Sequence, residues 1–348
     1  MLELRSLSTT VGEFEFGPVD LTVGDEVLSV LGPSGSGKTT LLSLVAGIID
    51  QDSGTISLHG SVLDGQSLQQ RQTGLVFQDG ALFPHMTARE NIAYGASDPE
   101  RVADLADLLE IADVLDRRPP ALSGGERKRV ALARTLAADP AVLLLDEPLS
   151  SLDAPIRRRL RRELPGLFAS LDIPVIYVTH DQQTATAVGD RTAVFRDGAI
   201  EQVGSPASVI NRPATRFVAR FTGNENLFEA APVDRVEDGA VVCVDDLRLQ
   251  TTCPNPPETG GTVSIHPSRI RIHAQGAAVD AGCPNTASGT VDRWLHEGDR
   301  YRVAVDVADA PLTLTATIRP PRFDQLAVAV GSSVRVTIPP DSIHFIDQ

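Results

Sequence analysis

The run GPSGSGKT, Gly32 to Thr39, has the composition and spacing of a loop that holds phosphate. Its glycines let backbone N–H groups close around phosphate oxygens, its lysine reaches the outer phosphates, and its last hydroxyl can ligate a divalent cation. This assigns Gly32, Pro33, Ser34, Gly35, Ser36, Gly37, Lys38, Thr39 and Thr40 to ATP, with Thr39 also on Mg²⁺. Lys38 is one of two lysines among 31 basic side chains, and a compact ammonium fills this role where an arginine fork does not. Further on, VLLLDE ends in Asp146, expected to hold Mg²⁺ through its shell, and Glu147, expected to polarise the attacking water. A third segment, LSGGERKRVALARTLA, places Ser123, Gly124 and Gly125 directly before a helix. That makes a second anion-binding helix N-terminus in one chain. One nucleotide cannot use both within a compact protomer, so a second subunit is implied.

These residues need a scaffold that brings strand ends together. Short apolar runs precede each of them: VLSVLG before the glycine-rich turn, AVLLLDEP around Asp146, and PVIYVTH ending at His180. Helical stretches lie between, one from Asp98 to about Asp116 and one in the basic segment IRRRLRREL. Near-continuous apolar strands alternating with helices indicate a parallel sheet covered on both faces, whose C-terminal edge carries the ligands. After Asn224 the texture changes to short alternating strands punctuated by Gly, Pro and Asn. There Val263, Ile265, Pro267, Ile270 and Ile272 recur at one constant offset as Val336, Ile338, Pro340, Ile343 and Phe345. Two copies of one β unit predict a pair of five-stranded barrels or half-barrels. The expected division is a nucleotide-binding domain over 1–225, with a helical subdomain at about 81–138, and a β-rich domain over 226–348.

The LSGGE segment resembles the signature of the ATP-binding-cassette (ABC) ATPases, whose two subunits close head to tail over two ATPs. The family's other elements follow in order: Gln78 in VFQDGALFPHMT, Ser151-Leu152-Asp153 after Glu147, and His180. The resemblance implies a RecA-like phosphate-loop core, a homodimer, and roles for further residues. Gln78 would contact Mg²⁺ and the attacking water, Asp153 would couple across the dimer, and His180 would touch the γ-phosphate. Two positions depart from the family pattern. Val11 stands where an aromatic usually stacks on adenine, the nearest aromatics being Phe14 and Phe16. The run Asp181-Gln182-Gln183-Thr184-Ala185 replaces the common Asp-Gln-x-Glu-Ala. ALFPHMTARENI resembles the stretch beside the groove that receives an importer permease, with Phe83, Pro84, His85 and Met86 as the docking side chains. The C-terminal region resembles the transport-associated, oligonucleotide-binding-like (TOBE-like) domain of importer ATPases. GNENLFEA and the tandem β unit are closest to archaeal molybdate and tungstate importers. The expected function is thus ATP hydrolysis energising oxyanion import, with an extracytoplasmic binding protein in the system and a regulatory oxyanion bound by the C-terminal domain. An iron, sugar or polyamine importer is the alternative, and a non-transport ABC ATPase a more remote one.

Composition bounds the partners. No stretch approaches the roughly 20 apolar residues of a spanning helix, which predicts a soluble, cytoplasmic chain; the importer resemblance implies a peripheral place at the membrane face. Cys243, Cys253 and Cys283 show no metal-binding spacing and read as ordinary thiols. Net charge is −15, and Asp outnumbers Glu 30 to 16. Short, strongly hydrated carboxylates with few lysine stems suit a cytoplasm of molar salt, and imply a halophilic source. The charge balance argues against nucleic acid as a partner.

Overall fold

The computed structural model describes residues 1–77, 81–96, 98, 100–150, 152–277 and 284–346. They part into two compact units, Met1–Pro206 and Ala207–Gln348, a division upstream of the 225/226 change in texture.

In the first unit β1 (Leu2–Val11), β2 (Phe14–Val23), β4 (Ser53–Leu58) and β5 (Ser61–Val62) form an antiparallel sheet in the order β2-β1-β4-β5. The larger sheet comprises β3 (Val27–Leu31), β6 (Thr73–Val76), β7 (Val142–Asp146), β8 (Val175–Val178), β9 (Arg191–Arg196) and β10 (Ala199–Gly204). Their order is β10-β9-β3-β8-β7-β6, parallel except for the β9–β10 hairpin. β7 shows why its sequence reads as an unbroken apolar run. Val142 and Leu144 pack with the helix α1 (Lys38–Ala46) and the antiparallel sheet, whereas Leu143 and Leu145 pack with the helices on the other face. Both faces of the strand are dry, so neither can be polar.

Those other helices are α2 (Ala88–Ala93), α3 (Glu100–Leu108), α4 (Gly124–Ala137) and α5 (Ala154–Ala169), followed in the chain by α6 (Gln182–Val188). The expected helix from Asp98 to Asp116 is shorter than its apolar periodicity. α3 stops at Leu108, Glu110 takes φ 50°, and a 3-10 turn follows at Ala112–Val114. Guanidiniums terminate it: Arg129 Nη1 donates to the carbonyls of Leu109 and Glu110, and Arg159 Nη2 to that of Leu108. Leu109 and Ile111 stay buried past the helix end, which is why the pattern runs on.

The second unit begins with α7 (Pro206–Asn211) at the junction and α8 (Arg216–Phe221). Its strands are β11 (Asn226–Val236), β12 (Gly239–Val244), β13 (Leu247–Thr251), β14 (Gly261–Ile265), β15 (Arg271–Ala274), β16 (Thr286–His296), β17 (Tyr301–Val307), β18 (Thr313–Ile318), β19 (Ser333–Thr337) and β20 (Ile343–Ile346), with α9 (Pro320–Leu326) before β19. Two five-stranded sheets result, β13-β12-β11-β14-β20 and β15-β19-β16-β17-β18. The sequence repeat is structural, since each copy is strand, 3-10 turn, strand. The copies interlock: β14 of the first pairs with β20 of the second, and β15 with β19. Each sheet takes one strand from each copy, and both sheets contribute to one apolar core.

Candidate nucleotide site

β3 is buried throughout, and the chain turns at its end through Gly32. A Cβ on Gly32 would lie 2.5 Å from the Phe195 carbonyl oxygen and from Ser36 Oγ, so no side chain fits there. Gly35 and Gly37 have φ of 81° and 97°, a left-handed conformation that glycine adopts without steric cost. Gly37 caps α1, whose first turn carries Lys38, Thr39 and Thr40. Lys38 is buried, and its Nζ donates to the carbonyls of Gly32 (2.9 Å) and Pro33 (2.7 Å). Thr39 Oγ1 donates to Asp146 Oδ2 at 3.1 Å.

The electrostatics show what this loop lacks. Burial pushes the Lys38 ammonium below its ordinary range, against the nearby Glu147 and Asp146 charges. Burial likewise pushes the Asp146 carboxyl up, despite the Thr39 hydrogen bond. For both groups burial outweighs the counter-charge that the ammonium and the carboxylates lend each other. This donor set fits a phosphate chain at the lysine and a divalent cation at Thr39 and Asp146.

Asp146 ends β7 and pairs in register with Val178 of β8. Glu147 follows with φ 48°, its N–H donating to the Val178 carbonyl (3.0 Å), so its carboxyl sits at the C-terminal edge beside the next loop. That loop carries His180, whose Nδ1 lies 2.7 Å from Glu147 Oε1. The carboxylate side chain is 17% exposed and the histidine 64%, so the pair has a sheltered end and an open end. Asp181 caps α6, and Thr184 is buried against it, donating to Asp181 Oδ2 and accepting from Arg161 Nε. Thr184 therefore holds the segment after His180 in place. Gln78 and Ser151 lie outside the described residues.

The phosphate loop, Asp146, Glu147 and His180 thus share one sheet edge. Ser123, Gly124 and Gly125 stand apart at the start of α4. The Ser123 hydroxyl accepts from Glu126 N–H and its own N–H donates to Glu126, a capping box that pulls the Glu126 carboxyl below the usual carboxylate range. Asp153, the N-cap of α5, is exposed and its side chain makes no capping bond. A residue that chemical reasoning passed over links the two groups. Lys128 on α4 is buried, and its Nζ donates to Ser150 Oγ (2.8 Å) and the Glu147 carbonyl (3.4 Å). Its rarity as a lysine was the available signal. At the adenine end, Val11 is 48% exposed and pairs across the hairpin with Phe14. The Phe14 ring lies against Gly37, which ties it to the phosphate loop.

The model for the ABC transporter family matches residues 18–150, and that for the TOBE domain matches residues 263–346. A sulfate/thiosulfate import ATP-binding protein, CysA of Methylococcus capsulatus, is 46% identical over 241 residues, 65% of this chain and 69% of that protein. A spermidine/putrescine import ATP-binding protein, PotA 1 of Pseudomonas aeruginosa, is 36% identical over 364 residues, 98% of this chain and 95% of that protein. The chain belongs to the ABC transporter family. It is the ATPase subunit of an ABC importer, and its phosphate-loop core, helical subdomain and all-β TOBE domain are those of the family. The dimeric ATP-binding cassette MJ0796, solved with ADP and phosphate bound, matches 59% of this ABC subunit and 99% of its own length, at 28% identity and a TM-score of 0.54. The two importers are named for sulfate/thiosulfate and for spermidine/putrescine, not for molybdate or tungstate, the cargoes expected from the sequence; the polyamine alternative finds the better support.

The ABC subunit also presents a groove of about 680 Å³ in its first unit. Phe83 lines it, 4.7 Å from Tyr94 and with Arg134 over its ring at 5.2 Å. Leu68, Phe77 and Tyr94, all about half exposed or more, form its apolar rim. His85 and Met86 are not in its lining. Among the described residues no helix is long and apolar enough to cross a membrane.

Proposed function

We propose that Glu147 is the base that orients the attacking water, in a site completed by a second copy of the chain. The observation that carries this reading is the sheltered Glu147 carboxylate, bonded to His180 and next in the chain to Asp146. Lys38 would contact the outer phosphates, Thr39, Asp146 and Gln78 would hold Mg²⁺, and His180 would face the γ-phosphate. Bound Mg²⁺ would neutralise charge on the phosphate oxygens. Ser123 to Gly125 would serve the partner copy's nucleotide, with Asp153 at the subunit boundary. The groove around Phe83 fits an apolar permease segment, and Phe77 on its rim immediately precedes Gln78, so docking there would reach the γ-phosphate side. Such docking makes the chain peripheral at the cytoplasmic face of the membrane, in a system with an extracytoplasmic binding protein.

For cargo, the sulfate/thiosulfate importer supports an oxyanion of that class. The polyamine importer, matched through both units, supports spermidine or putrescine, and this is the better-supported reading. The TOBE unit would bind a cytoplasmic oxyanion and slow hydrolysis.

Glu147→Gln keeps the shape of the side chain and removes its charge. ATP binding should persist while hydrolysis falls by about 10²- to 10⁴-fold. Turnover within about threefold of the native rate would remove Glu147 from this role. Transport of labelled sulfate against labelled spermidine, in membranes carrying the cognate permease, decides the cargo.

A further inference from the structure

Arg71 is 1% exposed, and among the described residues no larger side chain is so completely buried. Arginine is rarely withdrawn from water unless its donors are met. Here carbonyls meet them. Nη1 donates to Leu44 (2.8 Å) and Val45 (3.2 Å) in the last turn of α1, and Nε donates to Gln66 (3.3 Å). The C-terminal end of a helix carries orphan carbonyls and partial negative charge, so a cation is favoured there. Gly47 makes the approach possible, because a Cβ on it would lie 2.6 Å from the guanidinium carbon. Asp64 and Asp50 add opposing charge.

Two elements of the nucleotide site meet at this side chain. α1 begins with Lys38 and Thr39, and Arg71 holds its last turn. β6 starts two residues after Arg71 and leads to Phe77 and Gln78. A helix of nine residues, packed in a dry core, moves as one body over its length of about 14 Å. A shift at Leu44 and Val45 is therefore felt at Lys38. The residues beside Arg71 have the opposite exposure: Leu68, Gln69 and Gln72 are exposed and line the groove that contains Phe83. Gln72 takes φ 51° where the chain enters β6, a conformation that persists only where its surroundings over-determine it. We infer that Arg71 is a positioning residue for the phosphate site, setting Lys38 and Thr39 by holding α1, and that it links the groove to them. As a positioning residue it stands without the docking reading; as a link to the groove it rests on that reading.

Calorimetry with ADP and Mg²⁺ on the full chain tests the positioning role. Arg71→Met keeps most of the side chain's bulk and removes its donors and charge. It should still bind one ADP per chain but about tenfold more weakly, with kcat falling at least as far. Arg71→Lys, which keeps a cation at the helix end but loses the fork, should fall between. A smaller folded fraction lowers the number of sites and leaves the affinity of the rest unchanged. A native Kd at reduced stoichiometry would thus make Arg71 a stability residue and overturn its positioning role, as would native affinity and kcat in Arg71→Met. If Arg71→Met does not fold, the affinity of Arg71→Lys decides alone. The link to the groove is read in membranes carrying the cognate permease, as the ratio of hydrolysis by the complex to that by the isolated chain. Arg71→Met should still co-purify with the permease, since Arg71 does not line the groove, and should lose most of the stimulation. Stimulation by the native factor, or loss of co-purification, would discard the link. Phe83→Ala should release the permease. If it does not, the docking reading fails and takes the link with it, while the positioning role stands or falls on the ADP affinities.

Discussion

Lys128 shows how a single side chain can tie the signature helix to the catalytic loop. Its ammonium is buried, donates to Ser150 Oγ, and lies 3.4 Å from the Glu147 carbonyl, which also accepts from Ser150. Glu147 is held at φ 48°, a conformation a glutamate does not choose unaided, so these bonds help fix the direction of its carboxylate. Lys128→Met preserves bulk and removes the donors. It should lower kcat by about tenfold, the equivalent of about 1.4 kcal/mol in the barrier, while the affinity for ATP changes less than about twofold. Lost stability with kcat unchanged would make Lys128 a packing residue only, which is why both must be measured. At this scale the sequence was most legible where backbone geometry is dictated by residue type. Gly32, Gly35 and Gly37 make the turn their spacing implies, because a side chain at Gly32 would clash and Gly35 and Gly37 take left-handed φ angles. Lys128 was illegible because its meaning depends on Ser150, which is reached only through tertiary contact. The direct Glu147–His180 bond was hidden for the same reason: the two are 33 residues apart in sequence.

α4 combines two tasks at its N-terminus, capping itself and presenting Ser123 to Gly125 outward. The Ser123–Glu126 box pairs the N–H groups of Ser123 and Glu126, and those of exposed Gly124 and half-buried Gly125 lie outside it. Glu126 binds its proton more weakly in the folded chain than free. Its stabilising contribution is therefore complete above an ordinary glutamate pKa of about 4.3 and is lost as pH falls through the lower folded value. Ser123→Arg should block nucleotide-driven dimerisation and leave the monomer's ATP affinity intact. A dimer mixing a Ser123→Arg subunit with a Lys38→Ala subunit carries both lesions on one composite site and spares the other. About half the native hydrolysis should survive if the two sites fire independently, and none if they are coupled; nucleotide occupancy, measured by equilibrium binding, should in either case show one intact site. Two equally impaired sites would refute the head-to-tail arrangement. Among the elements, strands buried on both faces were legible as apolar runs, and the β repeat as a constant offset. The end of α3 was not, since Arg129 and Arg159 from other helices terminate it, and neither was the exchange of strands between the repeats, since pairing partners leave no mark on periodicity.

For the whole molecule, the charge of −15 sets a balance that local contacts do not cancel. Most of the ion pairs involve half-exposed side chains, such as Arg248–Asp234 and Arg269–Asp341, and pairs of that kind contribute about 0–1 kcal/mol each. Salt weakens those pairs, but it also screens the repulsion among the carboxylates in excess. At 0.1 M the screening length is about 10 Å, enough for neighbouring surface carboxylates to repel across several residues; at 1 M it is about 3 Å. Exposed pairs contribute little each, whereas acidic side chains exceed basic ones 46 to 31, so the repulsive term is the larger one to be removed. The more sheltered pairs, such as Arg159–Glu110 with the arginine 30% exposed, are screened less and survive. Stability should therefore rise with salt, and the melting temperature, followed by circular dichroism, should climb between about 0.1 and 2 M KCl. The climb should be matched at lower concentration by a divalent salt acting through ionic strength. A flat or falling melting temperature would mean that local pairing governs the surface, and would withdraw the halophilic reading of the composition.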